Sequence, residues 1–269
     1  MQLNDPIFVV GPHFADFALQ HEGAITYAEF KLLSAIERGE NLFLPGQALQ
    51  PEQMLEVYRA NRANGMMLMP EGELATRGET HKHEAKNIVV TLPRRAGAGV
   101  FELDMWIDGR NEILSDHQTG QHVQGFALKE AARQSLLAVT EHFFLPPGVG
   151  KEFVVILNEF DTEFRRFTFP LPIGIRYEIV TEEKDPRGRL KLEVLISFMQ
   201  AGRTTTSVRV TFAAYRRSFI FAKEHEQAAE TLQVMRQQPV WSESKVLEHL
   251  PSLLVTPQIP DDTLVSEAE

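Results

Sequence analysis

Hydrophobic and polar residues alternate strictly along several stretches of this chain. Phe101, Leu103, Met105 and Ile107 interleave with Glu102, Asp104 and Asp108. Ile173, Ile175, Tyr177 and Ile179 share one face, as do Leu190, Leu192, Val194, Ile196 and Phe198, and then Val208, Val210 and Phe212. A period of two with one apolar face predicts antiparallel strands packed on one side only. Residues 153–169, FVVILNEFDTEFRRFTF, are too long for one regular strand, and their apolar phase shifts near Arg166, which predicts a bend or bulge there.

One stretch breaks this rhythm. Residues 125–144, GFALKEAARQSLLAVTEHFF, contain no Gly or Pro after the first and are apolar around much of a helical circumference. Such a helix is too greasy for a surface and too polar for a membrane, so it belongs inside its own fold. Upstream, THKHEAKNIVVTLP ends in an apolar run, and a turn through Arg94, Arg95, Gly97 and Gly99 joins it to residues 100–108 as a hairpin. Two strands, one long helix and a four-strand meander predict an α+β hotdog fold, an antiparallel sheet wrapped around a central helix.

Flanking segments have a different texture. Thr26 with Glu29 reads as a capping box opening a helix that Gly39 closes, and Pro51 opens a second helix that stops at Gly65. The expected organisation is therefore a helical N-terminal extension over residues 1–79, the hotdog domain over 80–220, and a C-terminal segment over 221–269 with an acidic, partly disordered tail.

Composition narrows the function classes. A formal charge of -10 and no Lys/Arg block longer than a pair argue against nucleic-acid and anionic-membrane binding. Cysteine is absent, which removes thiolate catalysis, thiolate metal ligation and disulfides. The N-terminus lacks a basic region ahead of its four-residue apolar run, and a cytoplasmic protein is expected.

Candidate chemistry sits on the long helix. Glu130, Arg133 and Gln134, at i, i+3 and i+4, share one face, and charged groups on a buried helix need partners or a job. Two plain alternatives are a solvated surface ion pair and a buried structural one. His81 and His83 alternate on the expected entry strand, without an evident third ligand for a metal. His117 and His122 lie in the loop before the helix.

The motifs THKHEAKNIVVT, FELDMWID, EAARQ on the helix, HFFLPPG and RGRLKLEVLISFMQAGR together resemble the A-factor biosynthesis (AfsA-type) hotdog family. The specific part is E-x-x-R-Q on a buried helix, framed by a His-basic strand. The resemblance implies transfer of a β-ketoacyl group from acyl carrier protein to the hydroxyl of dihydroxyacetone phosphate, with Glu130 and Arg133 as the functional pair and His81 with Lys82 lining the site. Well-studied members carry two hotdog repeats per chain, whereas one is legible here.

For an acyl thioester linked to phosphopantetheine, on acyl carrier protein or CoA, the residues suggest roles. Gly125 at the helix N-terminus leaves N–H groups free to polarise a carbonyl. Glu130, its pKa raised by burial, would act as general base. Arg133 would orient Glu130 or bind a phosphate or carboxylate, Gln134 would add an amide hydrogen bond, and either His117 or His122 would reach the thioester. No permanently bound cofactor or metal is expected. The leading reading is an AfsA-like acyltransferase in butyrolactone-type signal or secondary-metabolite synthesis. Its rivals are a hotdog thioesterase or dehydratase and a non-catalytic acyl-ligand or partner-binding protein. A single hotdog predicts a homodimer that covers its open sheet edge.

Overall fold

The computed structural model describes residues 5–33, 37, 41–62, 72–116, 120–146, 152–185 and 189–237. Gly39, Gly65, His117 and the acidic tail lie outside them. The chain divides into two compact units, residues 1–220 and 221–269.

The N-terminal segment is not purely helical. The apolar run IFVV becomes β1 (Ile7–Val10), central in a parallel sheet with β2 (Ala24–Thr26) and β3 (Phe43–Pro45), in the order β2-β1-β3. Around it run α1 (Ala15–Gln20), α2 (Tyr27–Leu32) and α3 (Pro51–Arg62). Both expected helix starts are present, α2 with its Thr26/Glu29 capping box. Strands this short carry no alternation to read, and backbone pairing with β1 is what defines them. Phe30 and Phe43 meet edge to face at 5.1 Å within a small core that includes Val9, Leu49 and Val57. Gln47 stitches this segment to the main sheet. Its amide donates to the carbonyls of Met105 (3.0 Å) and Leu171 (3.2 Å) and accepts from Ile107 N–H (2.9 Å).

The hotdog follows. The short α4 (Arg77–Thr80) and α5 (Glu112–Ser115) flank the entry strands β4 (Arg94–Gly97) and β5 (Val100–Met105), and α6 (Gly125–Phe143) is the long helix. After it come β6 (Phe153–Phe164), β7 (Ile173–Lys184), β8 (Leu190–Gln200) and β9 (Arg203–Arg216). All six strands form one antiparallel sheet in the order β4-β5-β7-β8-β9-β6, so β4 and β6 are its edges. The expected hairpin exists, but its first strand is the Arg94–Gly97 stretch itself, and Gly99 at φ 67 makes the turn. The bulge in β6 falls between Leu157 and Glu159 rather than at Arg166, because the strand ends at Phe164.

Buried faces match the alternation. Leu103, Ile175, Tyr177, Val194, Ile196 and Val210 close on Ala131, Ala132, Leu136 and Val139 of α6 in one core. Alanines on α6 let the helix lie close to the sheet, and each large apolar side chain buried there contributes about 1.5–3 kcal/mol. The helix ends where Pro146 approaches, since the residue before proline leaves the helical region.

After β9 the charged stretch with a weak pattern forms α7, which spans Arg217–Gln237 and buries none of its residues. No described helix is long and apolar enough to cross a membrane.

Candidate active site

The E-x-x-R-Q triplet of α6 forms one hydrogen-bonded cluster. Arg133 donates from Nε to Glu130 Oε2 and from Nη2 to Oε1, both at 2.9 Å, in the two-pronged geometry that guanidinium and carboxylate favour. Gln134 Nε2 donates to Glu130 Oε1 at 2.9 Å, and the Lys82 ammonium lies 2.7 Å from the same oxygen. Glu130 thus has two cations and an amide around it while only 15% of its side chain is exposed.

Each partner is held by its own segment. A capping box at Thr76 and Glu79 opens α4, and His81 closes it in the left-handed conformation at φ 53. That turn delivers Lys82 to α6. Arg133 Nη2 also donates to the Thr80 carbonyl at 3.4 Å. Gln134, fully buried, accepts from Val89 N–H (2.9 Å) and donates to the Asn87 carbonyl (2.8 Å), pinning residues 87–89 against the helix. Leaving these backbone groups unpaired in the core would cost about 1–3 kcal/mol each, so Gln134 is structural as well as adjacent to Glu130.

The expected pKa of Glu130 is overturned. Burial pushes its carboxyl up, but the hydrogen bonds from Arg133, Lys82 and Gln134, with the charge of Arg133, outweigh burial and bring it down to about 2. In this arrangement Glu130 is a fully ionised, saturated carboxylate and a weak base.

An open groove of about 580 Å³ runs beside this cluster. Phe126, Lys129, Glu130 and Arg133 of α6 form one wall, with Leu157 and Phe160 of β6 opposite and residues around α5 at the rim. The charged cluster therefore meets an apolar trough, the combination a polar head group with a hydrocarbon chain would occupy.

The remaining expected site residues fall elsewhere. Residues 80–83 are no strand, because the αL turn at His81 interrupts them, so His81 and His83 do not share a strand face. His81 Nε2 meets Glu141 Oε1 at 3.0 Å, eleven residues or about 16 Å of helix rise beyond Glu130. His122 packs on Phe167 with ring centroids 4.8 Å apart. Gly125 does begin α6, yet the Phe164 ring lies across it, where a Cβ would come within 2.8 Å of the ring. Gly125 thus admits an aromatic ring to the helix end. None of these three is among the described lining of the groove. Among the described residues no group of three His, Asp or Glu could hold a metal.

Lys129, Phe126, Leu157 and Phe160 did not stand out in the sequence. For the helix pair a signal existed: positions 126, 129, 130 and 133 follow helical spacing on one face. For the strand pair none did.

The model of the A-factor biosynthesis hotdog domain matches residues 70–216, more than half of the chain. A search of curated protein sequences gave no match. Among solved structures, a phenylacetic acid degradation-related protein from Ralstonia eutropha is 19% identical, with 45% of this chain and 82% of that one covered, at a TM-score of 0.32. A thioesterase from Haemophilus influenzae is 13% identical, covering 47% and 78%, at 0.34. A Bacillus halodurans protein in a structure with CoA is also 13% identical, covering 46% and 71%, at 0.31.

Proposed function

This chain belongs to the A-factor biosynthesis hotdog family, and from that premise we propose that it transfers an acyl group from an acyl carrier protein or CoA thioester to a hydroxyl acceptor carrying an anionic group, such as dihydroxyacetone phosphate. The observation that carries this reading is the Glu130 cluster at the head of an apolar groove.

The saturated carboxylate suggests how the cluster works. An acceptor phosphate competes with Glu130 for Lys82 and Arg133, because both cations serve phosphate as well as carboxylate. As they turn to the phosphate, Glu130 loses the bonds that depress its pKa, and burial raises its basicity. Glu130 then takes the acceptor hydroxyl proton while the oxygen attacks the thioester carbonyl. The C–S bond breaks, the departing sulfur receives that proton from Glu130, and an ester and a free thiol leave. In this scheme the acceptor switches on its own base, and water, which has no anionic group, does not.

A second reading, an acyl-binding protein without turnover, is favoured by one observation: every oxygen of Glu130 already has a donor. Incubation with a β-ketoacyl carrier-protein thioester, with and without dihydroxyacetone phosphate, separates the readings by mass spectrometry. Transfer predicts an ester formed only with the acceptor. Free acid in both mixtures marks a thioesterase, an enoyl thioester marks a dehydratase, and unchanged thioester marks a binding protein.

The protein is further proposed to act as a homodimer through β6, an unpaired edge that also walls the groove and exposes Leu157 and Phe164. Light scattering at micromolar concentration should give twice the chain mass. A monomer would contradict the proposal.

A further inference from the structure

A second cavity, of about 940 Å³, lies where β3 and α3 of the N-terminal segment face β5 and the start of β7. Its lining excludes Glu130 and every other described residue of the groove on α6. Its floor is rigid, since Gln47 ties it to the carbonyls of Met105 and Leu171 and to Ile107 N–H. Leu44, Pro45, Met54, Leu74 and Pro172 supply apolar wall.

Two polar groups of this lining differ in what a ligand can reach. The Trp106 indole N–H is buried without a hydrogen-bond partner and has almost no accessible surface, so it stays out of a ligand's reach although the ring lines the cavity. Tyr58 adds a phenol; burial first, and then the Asp104 carboxylate, push it up to about 12, so it keeps its proton and remains a donor. The ionisable carboxylates of the lining are Glu73 and Asp104, the latter paired with Arg94 at 3.1 Å. A phenol donor beside negative charge selects an oxygen that carries no charge of its own.

We propose that this cavity is a binding site for an uncharged, predominantly apolar small molecule bearing a carbonyl oxygen, which the Tyr58 hydroxyl receives while Glu73 and Asp104 turn away carboxylates. The volume lies at the upper end of ordinary small-molecule sites and admits a medium-length chain. Gly174, paired with Asp104 across β5 and β7, leaves room on that face: a Cβ there meets nothing nearer than the Met199 Cβ at 3.9 Å.

The test uses 2-nonanone and sodium nonanoate, matched in length, titrated calorimetrically into the full chain at pH 7.5. The ketone should bind at least tenfold more tightly than the carboxylate. Gly174→Leu, which fills the cavity, should weaken ketone binding at least tenfold, and Tyr58→Phe should weaken it about three- to tenfold. Equal or tighter binding of nonanoate, no binding of the ketone, or full ketone affinity in folded Gly174→Leu would overturn the proposal. Should Gly174→Leu fail to fold by circular dichroism, Tyr58→Phe decides alone: unchanged ketone affinity overturns it.

Discussion

The groove at Glu130 and the cavity at Tyr58 and Trp106 handle polar groups in opposite ways. At Glu130 two cations and an amide converge on one carboxylate, and burial is more than offset. At Trp106 an indole N–H is left without any partner. A charge in a half-buried place has to be compensated within the fold, because the cost of leaving it bare exceeds that of any single neutral group. A neutral donor can be left unpaired at lower cost. The first region is therefore suited to exchanging charged partners, and the second, through the Tyr58 phenol, to admitting an uncharged acceptor.

Lys82→Ala puts the most strain on this contrast. Removing one of the two cations should raise KM for a phosphate-bearing acceptor about ten- to a hundredfold and leave 2-nonanone binding unchanged. Initial-rate kinetics against acceptor concentration, with calorimetry on the same variant, check both halves; an unchanged KM would separate Lys82 from the acceptor.

A smaller effect concerns acid stability. The Glu130 carboxyl sits at about 2 instead of the usual 4.5, so its contribution to stability is complete above about pH 4.5 and is lost as pH falls toward 2. Replacing it with the uncharged amide, Glu130→Gln, should remove that part of the acid sensitivity and lower stability at pH 7 by about 2 kcal/mol, because Lys82 and Arg133 lose their partner. Urea unfolding at pH 7, 4 and 3 measures this. A gap between wild type and variant that fails to shrink toward pH 3 would show that the cluster does not bind protons as its geometry implies.

Much of the hotdog was legible because it is written in local periodicity. Strands with one buried face alternate, and the central helix, buried on most sides, does not, so β5, β7, β8, β9 and α6 could be located before any contact was known. Within the site, Glu130, Arg133 and Gln134 share a helical face, which the spacing alone dictates. What escaped depends on tertiary encounters. The αL turn at His81 sends two adjacent side chains, His81 and Lys82, to acidic residues about three turns apart on α6, Glu141 and Glu130. The pKa of Glu130 was misjudged in sign because burial is readable from a hydrophobic context, whereas donors arriving from residue 82 are not. Gly125 was read for its exposed N–H groups, and the ring that lies across it comes from Phe164, thirty-nine residues away. The parallel strands β1 to β3 are too short to show a period of their own.

The central claim, that Glu130 serves an acceptor-triggered acyl transfer, is met most directly by a single-turnover experiment. Wild type and Glu130→Gln, each loaded with a β-ketoacyl carrier-protein thioester and verified as folded, are mixed with dihydroxyacetone phosphate and followed by mass spectrometry. Ester formation in the wild type, slowed at least a hundredfold in Glu130→Gln with the thioester still bound, is the predicted result. Equal rates of ester formation in the two proteins, or release of free acid at the same rate with and without the acceptor, would contradict it.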